Sequence, residues 1–163
     1  MWKILKDKRG LSLIEMVVTM VILTMLASLI VPSAQMASKR TKELELRRSL
    51  REIRTAIDEY KKNYDKSQSD QKTVQVLNAT GYPKTLDVLV EGDDFGGLVK
   101  EKKKFLRRIP SDPFHKAQEG DPKWGMRSHA DEHDSTTWGG EDVFDVYSLS
   151  NGVAIDGTKY KDW

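Results

Sequence analysis

Residues 11–37 form an apolar run with a single charge, Glu15, and residues 16–38 carry no charge over 23 positions. A helix needs about 20 such residues to cross the hydrocarbon core of a bilayer, so a membrane span is predicted here. The second half of the run is more polar, with Thr24, Ser28, Pro32, Ser33, Gln35 and Ser38. Pro32 has no N–H and crowds the preceding turn, so it either kinks the helix or ends the span. A different pattern begins after Ser38. Leu46, Leu50, Ile53, Ile57, Tyr60 and Tyr64 recur at intervals of 4, 3, 4, 3 and 4, with Arg, Glu, Lys and Asp between them. This is one apolar stripe on a solvated helix. It is shorter than the roughly three to four heptads that argue for a coiled coil. No glycine or proline lies between Ser33 and Gly81. The two patterns together predict one long helix over residues 11–64, with a span at about 11–37 and a stripe for a small domain to pack on.

The rest of the chain is broken more often. Residues 65–70 are polar and predict a loop, and 73–77 a short strand or helical turn. Pro83 suits the first turn of a short helix with Leu86, Leu89 and Val90 turned inward. Residues 92–97 predict a turn region, and Pro110 and Pro113 an extended turn. Residues 142–150 are rich in Val, Phe and Tyr and predict a strand. Asn151-Gly152 is a hairpin signal, residues 153–155 the returning strand, and Asp156-Gly157 a further turn. The expected class is α+β: a long N-terminal helix, membrane-embedded in its first half, packed in its second against a small antiparallel sheet.

Composition narrows the function more than the fold. The chain has 163 residues, 27 basic against 25 acidic, and a net charge of +2. That balance offers no broad attraction for nucleic acid. Lys100, Lys102, Lys103, Lys104, Arg107 and Arg108 make a dense basic run, but Phe105 is its lone aromatic, and it reads as a solvated face. There is no cysteine, hence no disulfide framework and no thiol chemistry. Mean hydropathy is −0.58 despite the apolar run, so the remainder is very hydrophilic. His129 and His133 lie four apart with Asp131 between them, and two ligands do not make a metal site. No Ser-His-Asp spacing or glycine-rich phosphate loop is present, so no enzyme is expected.

The most specific signal is Gly10-Leu11-Ser12-Leu13-Ile14-Glu15, preceded by Lys3, Lys6, Lys8 and Arg9. A carboxylate at the centre of a membrane helix costs about 2.5–3.5 kcal/mol on insertion scales, so Glu15 needs a partner. A plain membrane anchor gives it none. An ordinary secretory signal, cut near Pro32-Ser33-Ala34, has no use for a carboxylate in its apolar region and lacks the A-x-A site expected there. The pattern resembles the prepilin processing site of type IV pilins and type II secretion pseudopilins. The resemblance implies cleavage by a prepilin peptidase between Gly10 and Leu11, methylation of the new amine, and pairing of Glu15 with the amine of a neighbouring subunit. A proline at the place of Pro32 is typical of pilins, where the backbone around it extends on assembly. Basic residues flank both ends of the span, with Lys39, Arg40, Lys42, Arg47 and Arg48 on the far side, so the charge rule leaves orientation open. The resemblance places the leader in the cytoplasm.

The later segments resemble the major pseudopilin of type II secretion systems. Tyr82-Pro83 with Leu86, Leu89 and Val90 matches that family's Tyr-Pro helix. Residues 107–114, Arg-Arg-Ile-Pro-Ser-Asp-Pro-Phe, match its Arg-Arg-Leu-Pro-x-Asp-Pro-Trp segment, and 145–149, Asp-Val-Tyr-Ser-Leu, its Asp-Ile/Val-Phe-Ser-Leu strand. Leu11 departs from the commoner Phe or Met after the cut. The family's C-terminal loop binds calcium. Here the loop is shorter, and the residues nearest the expected ligands are Asn151 and Asp156, with carbonyls or residues 131–134 to supplement them. The resemblance thus implies a pilin-like fold with a leader at 1–10, a long helix at 11–64 and a soluble periplasmic domain at 65–163. It implies a single-pass inner-membrane precursor that assembles into a helical homopolymer, the periplasmic pseudopilus, and helps export folded proteins. Implied partners are prepilin peptidase, minor pseudopilins and the inner-membrane assembly platform. Two alternatives stay open: a type IV pilin of surface fibres, and a membrane-tethered, calcium-regulated binding module that does not polymerise.

Overall fold

The computed structural model describes residues 10, 12–70, 80–95, 101–118 and 121–163. The basic stretch before Gly10, the Leu11 side of the expected cleavage site, the segment 73–77 and the end of the 92–97 turn lie outside these residues. The described elements are α1 (Leu13–Asp70), α2 (Asp87–Glu91), β1 (Gly125–Arg127), β2 (Asp145–Tyr147) and a closing 3-10 turn, Tyr160–Asp162. A long N-terminal helix with a small antiparallel sheet is the pilin-like α+β class expected. The chain divides into two compact units, residues 1–40 and 41–163.

In the first unit α1 runs through Pro32 without a break, so the proline does not terminate the helix. Large apolar side chains are exposed along this stretch, from Leu13 at 82 % to Met36 at 61 %. A helix apolar on all sides needs lipid or other apolar helices around it. Two of its hydroxyls are satisfied internally: Thr19 Oγ1 donates to the Met16 carbonyl and Thr24 Oγ1 to that of Val21, each at 2.9 Å. This is the requirement for polar groups in lipid. The helix is long and apolar enough to cross a membrane.

In the second unit the stripe on α1 becomes the spine of the core. Leu46, Leu50, Ile53, Ile57 and Tyr60 are all buried, while Tyr64 packs at the edge. They meet Leu89 of α2, Phe95, Leu106, Trp124, Val143, Val146, Ala154 and Tyr160 in one cluster. Each buried Leu or Ile there contributes about 1.5–3 kcal/mol. Tyr60 anchors one end. Its ring contacts Phe95 and Phe105 at centroid distances of 5.2 and 5.4 Å. Its hydroxyl donates to Asp93 Oδ2, and burial together with that carboxylate pushes its pKa well up.

Three expectations are corrected. Residues 65–70 are helical, not a loop, because α1 continues to Asp70. The extension is supported by the Lys61–Asp65 ion pair one turn apart and by Ser67 Oγ donating to the Tyr64 carbonyl. The short helix after Pro83 begins only at Asp87, with Leu86 and Leu89 buried and Val90 half-buried. Pro83 is instead buried, and its carbonyl accepts from the Val143 amide at 2.8 Å.

The third correction concerns the sheet. Strand β2 pairs with β1, with Gly125 opposite Tyr147, Met126 opposite Val146 and Arg127 opposite Asp145, rather than with residues 153–155. A two-residue Asn-Gly hairpin of type I′ needs positive φ at both residues, and neither Asn151 nor Gly152 has it. Local side chains take the loop amides instead: Ser148 Oγ accepts from Ser150 N, and Ser150 Oγ from Gly152 N. Such bonds compete with a strand ladder. The reversal comes at the Asp156-Gly157 turn, where Gly157 has φ 88° and Ala154 N donates to Thr158 O at 2.7 Å. Val153 and Lys159 pair across that turn as an isolated antiparallel bridge.

Candidate functional site: the N-terminal segment and the C-terminal loop

At the N-terminal end Gly10 is exposed, and a β-carbon built on it meets nothing within 4 Å. Helix α1 starts at Leu13, with Met16 N donating to Ser12 O at 3.1 Å. Glu15 lies in the first turn, where a carboxylate is favoured by the helix dipole. It is exposed, and its neighbours in sequence are exposed Leu13, Ile14, Met16 and Val17. An acid on an apolar helix head, five residues after a glycine, is chemically suited to receive a cationic amine supplied from outside the chain. Pro32 lies within α1, where no amide is available to bond the carbonyl four residues earlier.

The C-terminal loop is held by α1. Glu43 and Arg47 are one helical turn apart and reach the same loop. Glu43 Oε1 accepts from Ile155 N at 2.8 Å and from the Tyr160 hydroxyl at 3.0 Å. Arg47 pairs with Asp156 Oδ2 at 3.3 Å, and its guanidinium lies 4.0 Å over the Trp163 ring. Asp156 Oδ1 accepts from Thr158 N at 3.0 Å and Thr158 Oγ1 at 2.6 Å. Those two bonds first, and Arg47 after them, hold the Asp156 carboxyl below its ordinary range. Burial and the bond to Glu43 push the Tyr160 hydroxyl up to about 12. The buried Tyr160 ring stacks on Phe114 at 4.1 Å and meets Trp163 edge-on at 5.2 Å.

This arrangement does not suit calcium at Asn151 and Asp156. Calcium takes about 6–8 oxygens, several of them charged. Both Asp156 oxygens are engaged, one by a guanidinium, and Asn151 is exposed. The carbonyls of Gly152, Ala154, Thr158 and Lys159 already accept main-chain amides. Among the described residues no group of three or more His, Cys, Asp or Glu is placed to hold a metal. Asp131 is committed as well, its Oδ2 accepting from Ser128 N at 2.7 Å and Gly139 N at 3.0 Å. His129 stacks on Tyr82 at 5.7 Å and packs against Phe144, while His133 is exposed.

Two of the three segments that resemble the pseudopilin pattern, 107–114 and 145–149, meet at Asp112. This buried carboxylate accepts from Phe114 N at 2.7 Å, His115 N at 3.2 Å and Ser148 Oγ at 2.5 Å. Arg107 and Arg108 point outward and line a groove of about 620 Å³ with Arg48, Arg51 and Glu52 of α1. Sequence reasoning did not find the ion network on β2. Arg54 Nε pairs with Asp145 Oδ1 at 2.7 Å and Arg127 with Asp145 Oδ2 at 3.3 Å. A second Arg54 nitrogen donates to the main-chain oxygens of Val146 and Trp163. Arg54 lies 91 to 109 residues from its partners, so no local pattern marks them.

The family model of the prokaryotic N-terminal methylation motif matches residues 5–31. That match supports the pilin superfamily and prepilin-type processing, in which a prepilin peptidase acts on subunits that polymerise. No curated protein and no solved structure matches the chain.

Proposed function

We propose that this chain is the major structural subunit of a type II secretion pseudopilus. The observation that carries the reading is Glu15, the lone carboxylate at the head of an exposed, otherwise uncharged apolar helix, five residues after an open glycine. The precursor waits in the inner membrane as a single-pass protein, with the 65–163 domain in the periplasm. Prepilin peptidase cuts between Gly10 and Leu11, and the new amine is methylated. Glu15 of one copy then receives the amine of the next, which sets register because an unpaired carboxylate in lipid is penalised. The backbone around Pro32, short of one helical hydrogen bond, is where the helix loosens on assembly. The resulting homopolymer works with minor pseudopilins and an inner-membrane assembly platform to move folded cargo outward. The pairing of Asp112 with Ser148 supports the pseudopilin reading over a surface pilus, because it joins two of the three segments that resemble that family.

A strain lacking this chain tests the proposal. Loss of exported proteins from the medium, with no change in surface fibres, is expected. Restoring the chain as Glu15→Ala should leave membrane insertion intact and filaments absent. Normal export with missing surface fibres would turn the reading to a type IV pilin. Filaments that form with Glu15→Ala would remove the proposed role of the carboxylate.

A further inference from the structure

We infer that the C-terminal loop is locked by Glu43 and Arg47 of α1 in the place where a metal ion would otherwise close it, so the 41–163 unit holds its final turn without divalent cations. The inference does not depend on the secretion reading and concerns the loop alone.

A calcium ion in a loop does two things: it neutralises converging carboxylates and it ties backbone oxygens from distant residues to one point. Both tasks are already done here by side chains. The positive charge at Asp156 is the Arg47 guanidinium at 3.3 Å. That guanidinium also covers the Trp163 ring at 4.0 Å, so one group ties the two ends of the segment 156–163. The tie between the loop backbone and the rest of the unit is Glu43. One of its oxygens takes both the Ile155 amide and the Tyr160 hydroxyl. Trp163 Nε1 donates to Thr158 Oγ1 at 2.7 Å, and Thr158 in turn bonds Asp156, which completes a ring of contacts.

The spacing makes this geometry specific. Residues 43 and 47 are four apart and share a face of α1, and Leu46 and Leu50 on the adjacent face are buried in the core. The helix is therefore fixed where the two charges must stand. A cation entering at Asp156 would have to displace the guanidinium from Oδ2 and Thr158 from Oδ1. The ordinary expectation for an exposed ion pair is a small contribution. What distinguishes this one is that the same two helix residues hold a backbone amide, a buried tyrosine hydroxyl and an aromatic ring.

The test is thermal unfolding of the full chain in detergent micelles, in excess EDTA and in excess calcium, with amide exchange of Ile155 and Thr158 as the local readout. A site filled well above its Kd would raise the midpoint by roughly 10 °C. The lock predicts a difference below about 1 °C between the two conditions. It also predicts that Arg47→Met and Glu43→Ala speed exchange at Thr158 and Ile155 by roughly tenfold or more, while amides buried on β2 are unchanged. A calcium-dependent rise of several degrees in the unaltered chain overturns the inference. So does exchange at both amides that ignores the two substitutions.

Discussion

Asp112 and its neighbours Arg107 and Arg108 belong to one short segment, yet the structure uses them oppositely. The acid is buried and holds two backbone amides and a serine hydroxyl, whereas the arginines face solvent. Removing a buried acceptor strands its donors, so Asp112→Ala should cost about 2–4 kcal/mol in urea unfolding. Arg107→Ala should stay within about 0.5 kcal/mol for the unassembled chain, and equal effects would contradict this division. Acid should act through the loop carboxylates. The Asp131 carboxyl is held down by the Ser128 and Gly139 amides, and that of Asp156 by Thr158 and then Arg47. A depressed native pKa contributes stability that is present above the unfolded value of about 3.9 and is lost as pH falls through the native one. The urea midpoint should therefore drop below about pH 4, and less steeply in Asp156→Asn. Tyr160 acts at the other end. Its raised pKa favours the neutral hydroxyl, so its contribution is whole below about pH 10 and is lost as pH climbs towards about 12. A midpoint flat across the acid range would contradict the account.

Among the elements, α1 was legible in the sequence because both its signals are periodic: an uncharged run of spanning length, then a stripe at helical spacing with no glycine or proline. Its end was misplaced because residues 65–70 are polar, and polarity alone does not break a helix that has side-chain support at Lys61, Asp65 and Ser67. Strand β1 was invisible. Gly125-Met126-Arg127 is three residues long, without a β-branched residue or an alternation to read. It exists because Gly125 lets the Tyr147 ring lie against its backbone. A β-carbon there would stand 2.2 Å from that ring. Arg127, two residues on, lies 4.2 Å over the same ring. Gly125→Ala should accordingly destabilise the 41–163 unit by about 1–3 kcal/mol, read from the thermal midpoint, and a neutral result would show that the ring has room to move. The N-terminal motif was legible because it is contiguous. The lock on the C-terminal loop was not, because Glu43 and Arg47 meet partners 109 to 117 residues away.

For the whole molecule, each unit poses a different physical problem. The described residues of 41–163 bury one core cluster and close their last turn with side chains from α1. Among the described residues of 1–40, large apolar side chains are exposed around one carboxylate, Glu15. The described apolar surface of the first unit is of the kind that lipid or other apolar helices cover. The central claim is that this exposure is resolved by processing after Gly10 and pairing at Glu15. The most direct test is intact-mass and N-terminal peptide spectrometry of the protein purified from its native membrane. The account predicts a mature chain that begins at Leu11 and carries one methyl group on its amine. A chain that begins at Met1, or at a residue beyond Pro32, would contradict it.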